Sequence, residues 1–347
     1  MAYSVATYVR ALKFEEWPDL DRQLFEDADR PNLAKPDWQS TRTWASRTRA
    51  LVCNSYGIWL FYLATYHPYE LSVHPQERVR RETIDLYVTW LCELDRKPCT
   101  IGTRLLTISQ MLSRLVPNSD FRWLSKRARD WYKSALKSRN IGRFSIDPKN
   151  LLENCIFELD KTDHASALSQ VAKARRYRDL LILTILTVRG WRTSNLRKLD
   201  IDNNVVASEE SVSIMFKDSD TKNRSNNYWP FPKEVSLRFV RYLKKYRGTL
   251  CCHADQTAVW PGQEGAISEG QIRQIVRRIS YEMTGEALTP REFRYILATA
   301  GALAGPEAAN STPIMLGHSD TQTSRDFYVI RDQIRAQDKY RDYVFEN

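Results

Sequence analysis

Apolar residues recur at three- and four-residue steps through four successive windows of this chain, between residues 41 and 136, and then stop at KSRNIGRFSIDPKN (137–150). Such a rhythm excludes strands for that region and requires helices that share one core. The first window carries Trp44, Leu51, Tyr56, Trp59, Leu60 and Leu63 on one stripe and ends at His67-Pro68. The second spans 75–94, with Ile84, Tyr87, Val88 and Leu91 inward, and the third spans 99–115, with Ile101, Leu105, Ile108 and Leu112 inward. The fourth, 121–136, is strongly basic, and Trp123 and Trp131 lie beside its cations. Residues 41–138 are therefore expected to form an independent all-helical module, with 139–150 as a linker. Residues 1–40, with Pro18, Pro31 and Pro36, are expected to wrap or tether as an N-terminal extension without forming a core.

The pattern changes after the linker. Helical periodicity returns at 151–159 and 175–188, followed by two strand-like stretches, 212–216 and 227–231, on either side of a polar turn. Amphipathic helices are read at 234–246 and 269–283, and shorter helical segments at 298–304, 312–316 and 323–342. The fold class expected is mainly α with a small β-sheet: an all-helical domain followed by a mixed α/β domain over 151–347.

Charge narrows the partners. Lys and Arg number 52 against 42 Asp and Glu, a formal net charge of +10, which attracts polyanions and nucleic acid first among them. The N-terminus lacks the basic region and long apolar run of a signal peptide, and the longest apolar runs are too short to cross a bilayer. No membrane partner is expected, and the location read is cytoplasmic. The six cysteines form no CxxC pair and are read as reduced, mostly buried thiols. Cys251-Cys252-His253 is their one cluster, and adjacent cysteines suit a zinc tetrahedron poorly.

Four separated pieces of the second half carry chemistry suited to a phosphodiester. They are Arg189-Gly190-Trp191-Arg192-Thr193-Ser194-Asn195-Leu196 at a helix end and glycine turn, Thr221-Lys222-Asn223-Arg224 in the polar hairpin turn, Thr289-Pro290-Arg291-Glu292-Phe293-Arg294 at a helix start, and Leu316-Gly317-His318, with Tyr328 ten residues later. Taken singly, each has a plain structural explanation; their joint order is what is specific. That order resembles the catalytic domain of the tyrosine recombinases, over about residues 175–335, and the helical module resembles their core-binding domain more weakly.

The resemblance implies roles for these residues. Arg192 and Arg294 clamp the scissile phosphate by bidentate hydrogen bonds, and His318 donates a further one. Lys222 protonates the leaving 5′-oxygen, and Tyr328 is the nucleophile that stores the bond as a 3′-phosphotyrosine. Arg291 stands where the family has a histidine; it cannot serve as a base near neutrality, but can act as a third guanidinium or favour the tyrosinate by its charge. The chain also departs from the family with Asn195 in place of the usual Glu, and with ten residues, not nine, from histidine to tyrosine. The extra residue is assigned to the loop 319–322, since within a helix it would rotate Tyr328 by about 100°.

DNA contacts are expected from Lys126, Arg127, Arg129, Lys133 and Lys137 on the basic helix, from Arg143 in the linker, and from Arg273 and Arg277. By resemblance the partners are double-stranded DNA at specific sites, a homo-oligomer forming a tetramer in the synapse with the tail after Tyr328 docking on a neighbouring subunit, and accessory proteins that set direction. No metal or cofactor is called for. The function implied is an integrase of a mobile element. The alternatives are a DNA-binding relative without catalysis and a type IB topoisomerase-like activity.

Overall fold

The computed structural model describes residues 9–30, 40–137, 146–216 and 227–316. The chain divides into two compact units, Met1–Asn140 and Ile141–Asn347. Both are mainly helical, with small antiparallel sheets in the second.

The first unit contains α1 (Asp19–Asp29), α2 (Ser46–Tyr66), α3 (Pro75–Arg78), α4 (Arg81–Glu93), α5 (Pro98–Leu115) and α6 (Arg122–Lys137). The core lies between α2 and α5, where Val52, Tyr56, Trp59, Leu60 and Leu63 meet Leu105, Ile108, Met111 and Leu112, all fully buried. Trp59, Tyr62, Tyr87 and Trp90 add an aromatic cluster joining α2 to α4, with ring centroids 5.0 to 5.8 Å apart. Edge-to-face and offset pairs of this kind contribute roughly 0.5–1.5 kcal/mol each beyond their buried area.

Three expectations are corrected here. The N-terminal extension does form core: Trp17 is buried against Tyr56, Phe25 is buried against Trp17, and the Leu12 N–H donates to the Gly57 carbonyl at 3.0 Å. It is held by an ion pair with no exposure on either side, Asp21 with Arg78 at 3.0 Å, and Asp21 also accepts from the Tyr56 hydroxyl at 2.5 Å. Prolines at 18, 31 and 36 pointed away from a core, but α1 fits between Pro18 and Pro31 and presents Asp21 and Phe25 one turn apart. Next, the helix read over 75–94 is two helices, because Val79 and Arg80 leave helical geometry between α3 and α4. Last, Leu51 is 46% exposed: the stripe on α2 is wide but bypasses that position.

The second unit is built around α8 (Gln170–Arg189), which follows α7 (Pro148–His164). Leu180, Leu181, Ile182, Leu183, Ile185 and Leu186 are all fully buried, so α8 is buried on every face from Asp179 to Thr187 and serves there as the central post. After α9 (Thr193–Lys198) and α10 (Ile201–Asn204) come β1 (Val205–Ala207), β2 (Val212–Phe216) and β3 (Asn227–Pro230), antiparallel in the order β1-β2-β3. Ile214 pairs with Val205 on one side and with Trp229 on the other. The two strands read from sequence are present; β1, short and half exposed, had no alternation to betray it.

Beyond the sheet, α11 (Lys233–Arg241) runs through a π-helical turn, Tyr242–Tyr246, into α12 (Arg247–Leu250). The wider turn buries both Tyr242 and Tyr246, whose hydroxyls donate to the Val259 carbonyl at 2.9 Å and to Asp163. A two-residue ladder pairs β4 (Pro261–Gly262) with β5 (Gly265–Ala266) before α13 (Glu269–Thr284), α14 (Pro290–Leu303) and α15 (Pro306–Met315). Ser268 and Gln271 cap α13 reciprocally, at 3.1 and 2.8 Å. Thr289-Pro290 opens α14 as expected, and Glu292 reaches back to the Thr289 N–H at 2.6 Å.

The cysteines are also corrected: Cys155 alone is fully buried, while Cys92, Cys99 and Cys252 are exposed. Among the described residues no group of three or more His, Cys, Asp or Glu side chains is arranged to hold a metal ion, and no helix is long and apolar enough to cross a membrane. The segment 323–342 lies outside the described residues.

Candidate active site

Gly190 ends α8 with φ 51° and ψ 37°, a left-handed geometry that costs an L-residue about 1–2 kcal/mol. The tight reversal serves a close approach: a Cβ built on Gly190 would stand 3.0 Å from Leu297 Cδ1 and from Leu316 Cδ2. Immediately after the turn, Trp191 is buried and Arg192 takes the N-cap position of α9, in extended geometry and half-buried.

Arg294 is the hub of this region. It lies three residues, about one turn of α14, before Leu297, and its guanidinium donates to the Gly190 carbonyl at 2.9 Å and to the Leu316 carbonyl at 2.8 Å. Leu316 packs in turn with Leu297 and Ala298. Three of the four pieces read from sequence therefore meet at one side chain: the glycine turn with Arg192, the start of α14, and the residue that precedes Gly317-His318. A guanidinium carries five N–H donors, so the two carbonyls leave others for a ligand.

The electrostatics suit an anion. Burial pushes the Arg294 guanidinium down from its ordinary 12.5 to about 10, the charges of Arg192 and Arg291 push the same way, and Tyr295 opposes them. Arg294 stays charged at neutrality, so positive charge is held close together in a half-buried place at an energetic cost that an oxyanion would offset.

Arg291 is exposed, one turn before Arg294. Its Nε donates to the Tyr295 hydroxyl at 3.1 Å, and its guanidinium carbon lies 5.6 Å from the centre of that ring. Lys222, His318 and Tyr328 lie outside the described residues. Of the hairpin, β2 and β3 are described, and Trp191 packs edge-on against Phe216, the last residue of β2, at 5.3 Å and tilted against Phe231, just past the far end of β3, at 5.6 Å.

The basic positions read as DNA contacts are divided between the two units. Lys126, Arg129 and Lys133 are exposed on α6 in the first unit, where Leu124 and Ala128 face inward. Arg127 pairs with Asp85, Lys133 lies 3.8 Å from Asp130, and Trp123 carries Arg81 on its face at 5.1 Å. Lys137 ends α6 with its side chain outside the described residues, as is all of Arg143. Arg273 and Arg277 are exposed on α13, Arg273 lying 3.6 Å from Glu269. Sequence reasoning included Arg189 in the glycine-turn phrase without giving it a role, and it missed Tyr295. Arg189 adjoins the glycine turn and Tyr295 follows Arg294, and adjacency was the one signal available for either.

Several solved structures resemble the chain. The XerA recombinase matches at 13% identity and a TM-score of 0.41, covering 85% of this chain and 93% of its own. The XerH site-specific recombinase bound to difH substrate in a pre-cleavage complex matches at 13% and 0.44, covering 94% and 95%. XerH bound to palindromic difH in a post-cleavage complex matches at 13% and 0.47, covering 99% of each chain. No curated protein matches. The phage integrase family model matches residues 159–333, half of the chain and the whole region that brings Arg192, Arg294 and Leu316 together, and the chain belongs to that family.

Proposed function

We propose that this protein is a tyrosine-type site-specific DNA recombinase that cuts and rejoins DNA through a phosphotyrosine, in the integration and excision of a mobile element. The observation that carries the reading is the convergence of Arg192, Arg291 and Arg294 charge around one guanidinium fixed by two backbone carbonyls. A phosphodiester under attack gains charge on its non-bridging oxygens, and Arg192 and Arg294 bind those oxygens more tightly as the charge grows. His318 adds a hydrogen bond. The Tyr328 hydroxyl gives its proton to water and its oxygen forms a bond to phosphorus while the bond to the 5′-oxygen breaks; the leaving electron pair stays on that oxygen, which takes a proton from the Lys222 ammonium. The phosphotyrosine conserves the bond energy, so a 5′-hydroxyl from a partner strand reverses the step. The first unit, with Lys126, Arg129 and Lys133, grips the duplex through its phosphates; Arg143, Arg273 and Arg277 add to that grip. Strand exchange requires two duplexes and a tetramer of protomers, and accessory proteins set its direction.

A second reading, a DNA-binding relative that does not cut, is favoured by one observation: Arg291, at the family's histidine position, is turned to Tyr295. The two separate on a nicked suicide duplex made from DNA flanking the gene. A covalent adduct on a denaturing gel, absent in Tyr328→Phe and in Arg294→Ala, supports recombination. Tight binding with no adduct supports the second reading.

A further inference from the structure

The Leu316 carbonyl that takes one of the Arg294 donors lies at the end of α15, and a single glycine on α14 decides how closely α15 can approach. A Cβ built on Gly301 would stand 2.0 Å from Thr312 Oγ1, 3.0 Å from Thr312 Cβ and 3.2 Å from Thr312 Cγ2. Thr312 is buried, and its hydroxyl donates to the Ala308 carbonyl at 2.6 Å. A β-branched side chain has few rotamers open to it on a helix, and turning it would leave its Cβ in the same place. The backbone of α14 therefore meets a side chain of α15 directly, an approach that any residue larger than glycine at 301 would obstruct.

One helical turn carries this contact to the arginine. The Leu316 N–H donates to the Thr312 carbonyl at 2.9 Å, closing the last turn of α15. The Leu316 carbonyl follows that turn, and carbonyls at a helix end have no partner within the helix. Arg294 supplies the donor, at 2.8 Å. The side chains keep the same register. Leu316 stands four residues after Thr312, Leu297 stands four before Gly301, and the two leucines are buried in one cluster with Ala298. The antiparallel pair thus touches at two levels about 6 Å apart along the helices, Gly301 with Thr312 and Leu297 with Leu316.

We infer that Gly301 is a positioning residue for the phosphate clamp: by letting Thr312 lie against the backbone of α14 it sets how close α15 stands, and so the place of the Leu316 carbonyl that orients the Arg294 guanidinium. This rests on the assignment of Arg294 to the scissile phosphate. A side chain at 301 must part the helices by roughly 1.5 Å to restore ordinary contact with Thr312. Arg294 reaches Leu316 from α14 itself, so the opening falls on that hydrogen bond, whereas its other acceptor, Gly190, ends α8 and not α15. A misplacement of about 1 Å in a group that orients the reaction can cost about 10²-fold in rate.

The test follows single-turnover cleavage by the full chain on two nicked duplexes from DNA flanking the gene, identical except that one carries a methylphosphonate at the position cut. There a methyl group replaces one non-bridging oxygen, the group is neutral, and a guanidinium has less charge to stabilise. Arg294→Ala is expected to slow cleavage of the phosphate by about 10²–10³-fold and to lose far less on the methylphosphonate. Gly301→Ala is expected to slow the phosphate by about tenfold or more and to stay within about threefold of wild type on the methylphosphonate. Added to Arg294→Ala, it should slow phosphate cleavage no further, because both act through one guanidinium. In a Thr312→Ala background, which removes Oγ1 and Cγ2, Gly301→Ala should cost less than it does in the wild type. Rates are read below the unfolding transition of each variant, followed by circular dichroism, so that unfolding cannot imitate the effect. Equal losses of Gly301→Ala on the two substrates, losses that add to those of Arg294→Ala, or no loss on the phosphate would overturn the inference. If Arg294→Ala itself loses equally on both substrates, the clamp assignment fails and this inference with it.

Discussion

Replacing Gly190 by alanine tests the packing of the site without touching a charged group. Two costs add. The residue sits at φ 51°, where an L-side chain loses about 1–2 kcal/mol. The new Cβ would also stand 3.0 Å from Leu297 Cδ1 and Leu316 Cδ2 and 3.4 Å from Arg294 Cγ, and crowding of a packed interior costs about 1–3 kcal/mol. The sum is about 3 kcal/mol. Gly285, which ends α13 at φ 77° with nothing within 4 Å of a built Cβ, isolates the first cost. At roughly 3 °C per kcal/mol for a unit of this size, Gly190→Ala should lower Tm by about 9 °C and Gly285→Ala by about 4 °C. Thermal unfolding followed by circular dichroism reads both. Trimming the obstructing methyl, Leu297→Val, should cost Gly190→Ala less than it costs the wild type, a coupling that a double-mutant cycle measures. Equal losses at Gly190 and Gly285 would refute the crowding argument, and with it the close approach of Leu297 and Leu316 to the turn.

Three further outcomes are expected. In the first unit a Cβ on Gly57 would meet the Leu12 carbonyl at 2.3 Å, so Gly57→Ala should release the segment before α1, lower stability by about 1–3 kcal/mol and speed proteolysis between residues 9 and 17. Asp21→Ala leaves Arg78 buried and unpaired and should cost about 3–5 kcal/mol in denaturant titrations, whereas Asp21→Ala with Arg78→Met should recover a large part of it. For acid stability, burial raises the Asp163 carboxyl, but hydrogen bonds from Lys245 and Tyr246 and the charges of Arg241 and Lys245 bring it below its ordinary value. Its contribution is therefore present above the unfolded value of about 3.9 and is lost as pH falls through and below that value. Asp163→Asn should flatten the decline of Tm below about pH 4; an unchanged slope would remove Asp163 from the account.

Much of this protein is settled by local sequence. Periodicity in 41–136 dictates helices because one face of each must leave water, and Thr289-Pro290 starts α14 because proline's missing N–H costs nothing in a first turn. The order of the glycine turn, the hairpin, the arginine pair and Leu316-Gly317-His318 was legible for the same reason: each is a short phrase whose residues are adjacent in the chain. Tertiary structure alone decided what those phrases do to one another. Pro18 and Pro31 bracket a helix that enters the core because Asp21 finds Arg78 fifty-seven residues away, a partner no local pattern announces. Arg294 is fixed by carbonyls 104 and 22 residues distant, and Arg189 by that of Pro230, 41 residues on. Backbone carbonyls are present at every residue, so sequence cannot say which will be left without a ladder or helix partner. Only the packed chain, with an edge strand at Pro230 and helix ends at Gly190 and Leu316, exposes the acceptors that an arginine then takes.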